Sequence, residues 1–230
     1  LDNEKAVILL SGGLDSATAA AVAVRESSAC SAITFRYGQR HKAEVESARK
    51  LAAFFGIATH LIIDIPIDIF QRTALIPSSG IDVPKNRELS RADAIPDTYV
   101  PARNTLFLAY ALAFAESWDI RSIFIGVNAL DYSGYPDCRP GYIAAFERMA
   151  NLGTRAGVEG RGFSIRAPLI AMGKSDIIRL GRDLGVDYSL TLSCYDPGED
   201  GLSCGECDSC ILRRRGFIEA GVTDPTRYRK

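Results

Sequence analysis

Ala6-Val7-Ile8-Leu9-Leu10-Ser11-Gly12-Gly13-Leu14-Asp15-Ser16 decides how the rest of the chain is read. Five consecutive apolar residues suit a strand buried on both faces. Ala17, Ala19, Ala20, Ala21 and Ala23 give the following segment high helix propensity, with a helix start near Asp15. The two glycines between them let the backbone turn sharply and approach a ligand. Ser11, Asp15 and Ser16 bring hydroxyls and a carboxylate to the helix N-terminus. Free N–H groups and the positive end of the helix dipole make that turn an anion site, with phosphate as its natural guest.

The run resembles the Ser-Gly-Gly-x-Asp-Ser signature of the PP-loop ATP pyrophosphatases, which adenylate a substrate and release pyrophosphate. Met172-Gly173-Lys174-Ser175 ends like the other common phosphate loop, but Pro168 stands where that loop requires its first glycine. No Gly-x-Gly-x-x-Gly follows the first strand, which argues against a dinucleotide fold of the usual kind.

At 230 residues the chain suits one sizeable α/β domain with a small appendage. Lysine and arginine number 27 against 28 aspartates and glutamates, so no global field draws the protein to nucleic acid or to a membrane surface. No apolar run reaches the ~20 residues of a membrane span, and no signal segment is recognisable. A cytoplasmic protein is expected, and six cysteines in that compartment point to metal or reactive thiols before disulfides.

Working outward, strands are expected at 31–35, 58–63, 122–127 and 163–169, and helices at 43–55, 105–117, 175–184 and 209–220. The alternation predicts a doubly wound parallel sheet with ligands beyond the carboxyl ends of its strands. The 105–117 helix is apolar nearly all round and is expected to be buried on most sides. Tyr37, Gln39, Arg40 and His41 fall on the ligand rim, whereas His60 lies inside a strand and reads as structural. Pro66, Pro77, Pro84 and Pro96 break the pattern between Ile65 and Pro101, and a mobile flap is expected near 77–98. Arg103 and Asn104 open the next helix and suit phosphate or carboxylate. Asp131, Tyr132, Tyr135, Asp137 and Arg139 crowd a loop that can stack on a flat heterocycle and read its polar edge. Cys138 in that loop is placed to touch substrate, and Lys174 is a candidate phosphate partner. Arg213-Arg214-Arg215 reads as a solvated face.

Cys194, Cys204, Cys207 and Cys210 are spaced C-x9-C-x2-C-x2-C. Four thiolates around one tetrahedral ion suit a closed, structural Zn2+ site, with an iron–sulfur cluster as the competing use. The chain therefore divides into an ATP-binding α/β domain, 1–190, and a zinc-binding segment, 191–230, packed on it.

Taken in order, the Gly-Gly turn, Tyr37-Gly38-Gln39-Arg40-His41, Val100-Pro101-Ala102-Arg103-Asn104, the 131–139 loop and the four cysteines resemble the 7-cyano-7-deazaguanine synthase family of queuosine biosynthesis, over about residues 5–221. The resemblance implies an ATP-dependent ligase that converts 7-carboxy-7-deazaguanine and ammonia to the nitrile through adenylated and amide intermediates, commonly as a homodimer. It places ATP on Leu10, Ser11, Gly12, Gly13, Leu14, Asp15, Ser16, Ala17, Thr18, Ala19 and Ala20, with Mg2+ between phosphates and zinc on the four cysteines. Ser11, Asp15, Ser16, Arg103 and Lys174 are the candidate catalytic residues. Tyr37, Gln39, Arg40, His41, Asn104, Asp131, Tyr132, Tyr135, Asp137 and Arg139 are the candidate substrate contacts. Two positions depart from the family pattern: Ala102 stands where glycine is frequent, expected as a mild change, and Gly141 where an acidic residue is usual. A tRNA-modifying PP-loop enzyme and a non-enzymatic ATP-binding zinc module are the alternatives.

Overall fold

The computed structural model describes residues 4–38, 43–66, 69–70, 72–87, 95–130 and 134–229. Five parallel strands, β1 (Lys5–Leu9), β2 (Ala29–Arg36), β3 (Thr59–Asp64), β4 (Ser122–Ile125) and β5 (Ser164–Arg166), form one sheet in the order β3-β2-β1-β4-β5. The chain moves outward from β1 to β3 on one side, then returns to lay β4 on the other flank of β1. The direction of winding therefore reverses between β1 and β4. Ligands collect beyond the carboxyl ends of strands at such a reversal.

The period of two in β1 sends Val7 and Leu9 to one face, Ala6 and Ile8 to the other. On the first face these residues, with Ile33, Ile123 and Ile165, bury against α3 (Arg103–Ser117), α4 (Pro140–Gly153) and the short α5 (Arg155–Val158). On the second, Ala6, Ile8 and Phe124 meet α1 (Leu14–Glu26), α2 (Ala43–Phe54), α6 (Lys174–Asp183) and α7 (Asp208–Ala220). Ala17, Ala19, Ala20 and Ala23 are fully buried, so the small side chains of α1 let it press closely on the sheet.

Three expectations need correction. Helix α4 lies where no helix was expected: Pro140-Gly141 is a turn-type dipeptide, yet Pro140 opens the helix, where its missing N–H costs nothing. Helix α3 is buried on one side only: Leu108, Ala111, Leu112 and Ala115 face the sheet, while Ala109, Tyr110 and Ala113 are exposed. The fourth strand ends at Ile125, and Gly126 to Asn128 leave the sheet to pass over the start of α1.

The described part of the insertion after β3 packs on the cysteine segment. Ala74 and Val83 share a third apolar cluster with Leu192 and the four cysteines. Lys85 bridges Cys207 in antiparallel fashion, and the Asn86 N–H donates to Glu206 O at 2.8 Å. Lys85 pairs with Asp196 at 3.2 Å, and Arg87 pairs with the buried Asp208. Residues 88–94 of the expected flap lie outside the described residues.

Candidate functional site

The phosphate turn is held by its own short side chains. Ser11 Oγ donates to Ser16 Oγ (2.9 Å), Ser16 Oγ donates to Gly13 O (3.0 Å), and the Ser11 N–H donates to Ser16 Oγ (3.2 Å). Gly13 is the N-cap of α1 and offers no capping side chain, which leaves the helix start open to a ligand. Gly12 has φ +90°, and a Cβ there would lie 2.4 Å from Glu44 O, so both its conformation and its contact with α2 demand glycine. The Asp15 carboxylate receives Lys174 Nζ at 2.8 Å on both oxygens, across 159 positions of sequence. Gly216 leaves the space that the Lys174 stem occupies.

A cavity of about 250 Å³ opens at this turn. Leu10, Ser11, Gly13, Leu14, Asp15, Ser16 and Lys174 line its polar end. Gly12, Ala17, Thr18, Ala19 and Ala20, expected with them, do not line it: Gly12 faces α2 and the others belong to the buried body of α1, with Thr18 Oγ1 bonded to Tyr188 OH at 2.8 Å. The other end is aromatic. Phe35 and Phe107 stack with centroids 4.0 Å apart, and Tyr37 packs against Phe107 and Phe70. Arg103 donates to Tyr37 OH at 3.1 Å and lies over the Tyr37 and Phe107 rings. Tyr135 donates to Thr98 Oγ1 at 2.9 Å, and Tyr195, its hydroxyl 3.5 Å from that of Tyr135, closes the wall beside it. Burial pushes the Tyr37, Tyr135 and Tyr195 phenols up and the Cys138 thiol up to about 12, so this end presents uncharged rings and a neutral thiol around one guanidinium.

Asn104 and Cys138 also line the cavity, but Asp137 and Arg139 do not. The buried Asp137 carboxylate accepts the Asn104 N–H at 3.0 Å and so caps the first turn of α3, while Asn104 Nδ2 donates to Asp137 O at 3.2 Å. Arg139 is exposed at the start of α4. Gly141, in the first turn of α4, is also outside the lining. Gln39, Arg40, His41, Asp131 and Tyr132 lie outside the described residues. His60 is bonded to Thr34 Oγ1 at 2.7 Å within the sheet, as a structural role requires.

The four cysteines converge. All are buried, and their sulfurs lie within 4.8 Å of one another. The N–H groups of Asp196 and Cys204 donate to Cys194 Sγ (3.3 and 3.2 Å), those of Glu206 and Cys207 to Cys204 Sγ (3.5 and 3.3 Å), and that of Tyr195 to Cys207 Sγ (3.5 Å). Backbone donors aimed at sulfur favour thiolates, and neighbouring Cys194 and Cys210 hold the Cys207 thiol well below its ordinary range while their own thiols are pushed up. A buried set of four converging sulfurs, three of them met by backbone N–H donors, fits a tetrahedral metal ion.

Residues 5–221 match the family model described as queuosine biosynthesis protein QueC. The chain belongs to the QueC family. Two relatives carry the name 7-cyano-7-deazaguanine synthase: that of Solidesulfovibrio magneticus is 58% identical over 228 residues, covering 98% of this chain and 96% of its own, and that of Azotobacter vinelandii is 58% identical over 228 residues, covering 99% and 100%. Among solved structures, NMN synthetase from Francisella tularensis aligns with a TM-score of 0.51 at 20% identity, covering 96% of this chain and 79% of that one, a likeness of fold alone.

This QueC chain is thus an enzyme of queuosine biosynthesis. Three further site residues were not among the candidates named from the sequence. Gly126 passes so close to α1 that a Cβ would lie 2.9 Å from the backbone of Asp15; an isolated glycine after a strand was the available signal. Ser193 lines the cavity and touches the phosphate turn. Arg213, expected on a solvated face, is buried and lines the cavity, whereas Arg214 and Arg215 are exposed. Among the described residues no helix is long and apolar enough to cross a membrane.

Proposed function

We propose that the cavity makes 7-cyano-7-deazaguanine from 7-carboxy-7-deazaguanine, ammonia and ATP, the product being the one named in its relatives. The carboxylate oxygen attacks the α-phosphorus of ATP, giving an acyl adenylate and pyrophosphate. Ammonia then displaces AMP, loses a proton and leaves the amide. A second adenylation, on the amide oxygen, turns that oxygen into a leaving group; departure of AMP and loss of the remaining N–H protons give the nitrile.

The observation that carries this reading is the joining of an open helix N-terminus to a flat aromatic chamber in one cavity, with Arg103 in the chamber. The N–H groups of Asp15 and Ser16 suit the charge that grows on pyrophosphate as it departs. The stacked rings of Phe35, Phe107 and Tyr37 suit a planar heterocycle, and the guanidinium suits its carboxylate. Lys174 bonds both Asp15 oxygens and so holds that carboxylate in place at the cavity wall. Magnesium takes oxygen ligands and keeps part of its water, so the ATP phosphates with Asp15 would hold it there. Zinc on Cys194, Cys204, Cys207 and Cys210 supplies a structural cross-link. A homodimer and a cytoplasmic location belong to the same reading.

Mass spectrometry of the metal-loaded protein with ATP, Mg2+, ammonium and 7-carboxy-7-deazaguanine tests it. Nitrile and AMP are expected, both absent without ATP. Arg103→Met should lower kcat/KM for the deazaguanine by about 100-fold, the scale of a lost charged hydrogen bond. A folded, metal-loaded protein that yields neither nitrile nor AMP sinks the assignment.

A further inference from the structure

Ser193 comes just before the first metal-ligand cysteine, yet the fold lays it on the phosphate turn. The Leu192 N–H donates to Gly12 O at 2.9 Å, and the Leu14 N–H donates to Ser193 Oγ at 3.3 Å. Ser193 Oγ stands 4.0 Å from the place a Cβ on Gly13 would take. On its other side is Arg213, 2% exposed, whose NH1 donates to Thr191 Oγ1 at 2.7 Å and, at a longer 3.4 Å, to Ser193 Oγ. The guanidinium cannot easily turn elsewhere. Its Nε donates to Asp224 at 3.1 Å, its NH2 to Tyr188 O at 3.2 Å, and its Cζ lies 5.0 Å from the Phe217 ring centroid.

A serine hydroxyl has two acceptor positions and one proton. Both acceptor positions of Ser193 are taken by N–H donors, one of them cationic, and among the described residues its proton has no acceptor. Ser193 and Arg213 both line the cavity. A hydroxyl fixed in this way can only donate, and a cation on its oxygen strengthens that donation.

We propose that Ser193 donates its hydroxyl proton to a phosphate oxygen of the bound nucleotide, completing the anion site from the C-terminal side, and that Arg213 is the positioning residue that keeps this hydroxyl a donor. The proposal rests on the reading of the cavity as an ATP site. It gives the segment that leads into the metal ligands a direct part in binding the leaving pyrophosphate. The alternative is a clasp, in which Ser193 only ties the C-terminal segment to Leu14.

Titration calorimetry on the full, metal-loaded chain separates the two, with Mg-ATP, inorganic pyrophosphate and adenosine as probes. Ser193→Ala should weaken ATP and pyrophosphate by about tenfold, the effect of one hydrogen bond to a charged group, and leave adenosine unchanged. Ser193→Thr should restore pyrophosphate binding to within about twofold of the unmutated protein. Arg213→Lys should weaken pyrophosphate in the unmutated background and have no further effect once Ser193 is alanine, the non-additivity expected of a residue that acts through another. Pyrophosphate and ATP affinities unchanged in Ser193→Ala, with only a lower melting temperature, would overturn the proposal in favour of the clasp. Should Ser193→Ala fail to fold, Ser193→Cys, which keeps the volume and donates weakly, carries the same comparison. Nitrile formation by the unmutated protein checks the underlying reading separately. Tight pyrophosphate binding without nitrile would refute the reaction and leave Ser193 to be judged by the affinities, whereas an unmutated protein that binds neither ATP nor pyrophosphate refutes both.

Discussion

The phosphate turn and the cysteine segment face the same cavity but are held by opposite means. Between β1 and α1 the chain fixes itself: Ser11, Gly13 and Ser16 bond one another within six residues of sequence, on a strand and helix already anchored in the sheet. The cysteine segment has no strand, and its approach to the fold depends on sulfur, on backbone donors to sulfur and on the insertion of residues 72–87, more than a hundred positions away. Apart from one 3-10 turn at Pro77–Ser79, neither residues 72–87 nor the cysteine segment before α7 contains a helix or strand. Each supplies the other's support, through Lys85 with Asp196 and Arg87 with Asp208. Local structure makes the reactive end of the cavity, and long-range structure makes its wall.

Metal removal strikes the second region alone and is the largest effect expected. Cys207→Ser, or exhaustive chelation, should cost about 5 kcal/mol or more, since binding free energy at a structural site is folding free energy. For a chain of this size that lowers the melting temperature by roughly 10–20 °C. Hydrogen exchange read by mass spectrometry should show residues 72–87 and 191–229 losing protection together, with β1 and the body of α1 retained. Loss confined to 191–229 would show that the insertion stands without the sulfur site and would break the comparison.

The two glycines of the turn sharpen it from the other side. Gly12→Ala would force a positive φ on alanine and place its methyl against Glu44 O, where 2.4 Å is available. A cost of about 3 kcal/mol is expected, measured by chemical denaturation, because the backbone of α2 must move. Gly13 has φ −84°, and the nearest atom to an added Cβ is Ser11 Oγ at 3.5 Å. Gly13→Ala should therefore fold normally and raise the KM for ATP, since its methyl would stand at the open helix start. If both variants lost the same stability, the turn would be one packing unit and not a packed glycine beside a binding glycine.

What the sequence showed follows the same division. The strand, the turn and α1 were legible because every signal lies within about twenty residues: an apolar run, two glycines, short oxygens, then alanines. The cysteine ligand set was legible because the spacing alone restricts what four thiols can do. The wall was not. Asp137 reads as a substrate contact in its own loop, and only the fold brings Asn104 to it, 33 positions away, and makes it a helix cap. Arg213 sits in a run of three arginines that looks solvated, and only its buried contacts with Tyr188, Thr191 and Asp224 separate it from the two that are. Helix α4 carried a readable pattern, Ile143, Phe146 and Ala150 on one face, masked by the Pro140-Gly141 turn signal. Gly126 carried only its own isolated glycine as a signal, because what it must avoid is the backbone of Asp15, reached through the pairing of β1 with β4.

Ala102 provides the finest test of how local structure sets the cavity, and the smallest effect. From sequence its replacement of a frequent glycine looks mild; the fold places it at the N-cap of α3 with φ 55° and ψ 21°, the left-handed region that alanine enters at a cost of roughly 1–2 kcal/mol. The residue is exposed, so its methyl contributes little packing. Its N–H donates to Tyr99 OH at 3.0 Å, which helps hold the turn that delivers Arg103 to Tyr37. Ala102→Gly removes the strain but loosens the unfolded chain, which offsets about 0.4–1 kcal/mol. A net stabilisation of about 0.5–1 kcal/mol, or roughly 1–4 °C in melting temperature, is expected, with kcat/KM for the deazaguanine unchanged. A more stable protein with a lower kcat/KM would instead mean that the strained turn itself aims Arg103, and that alanine is retained there for the site and not for the fold.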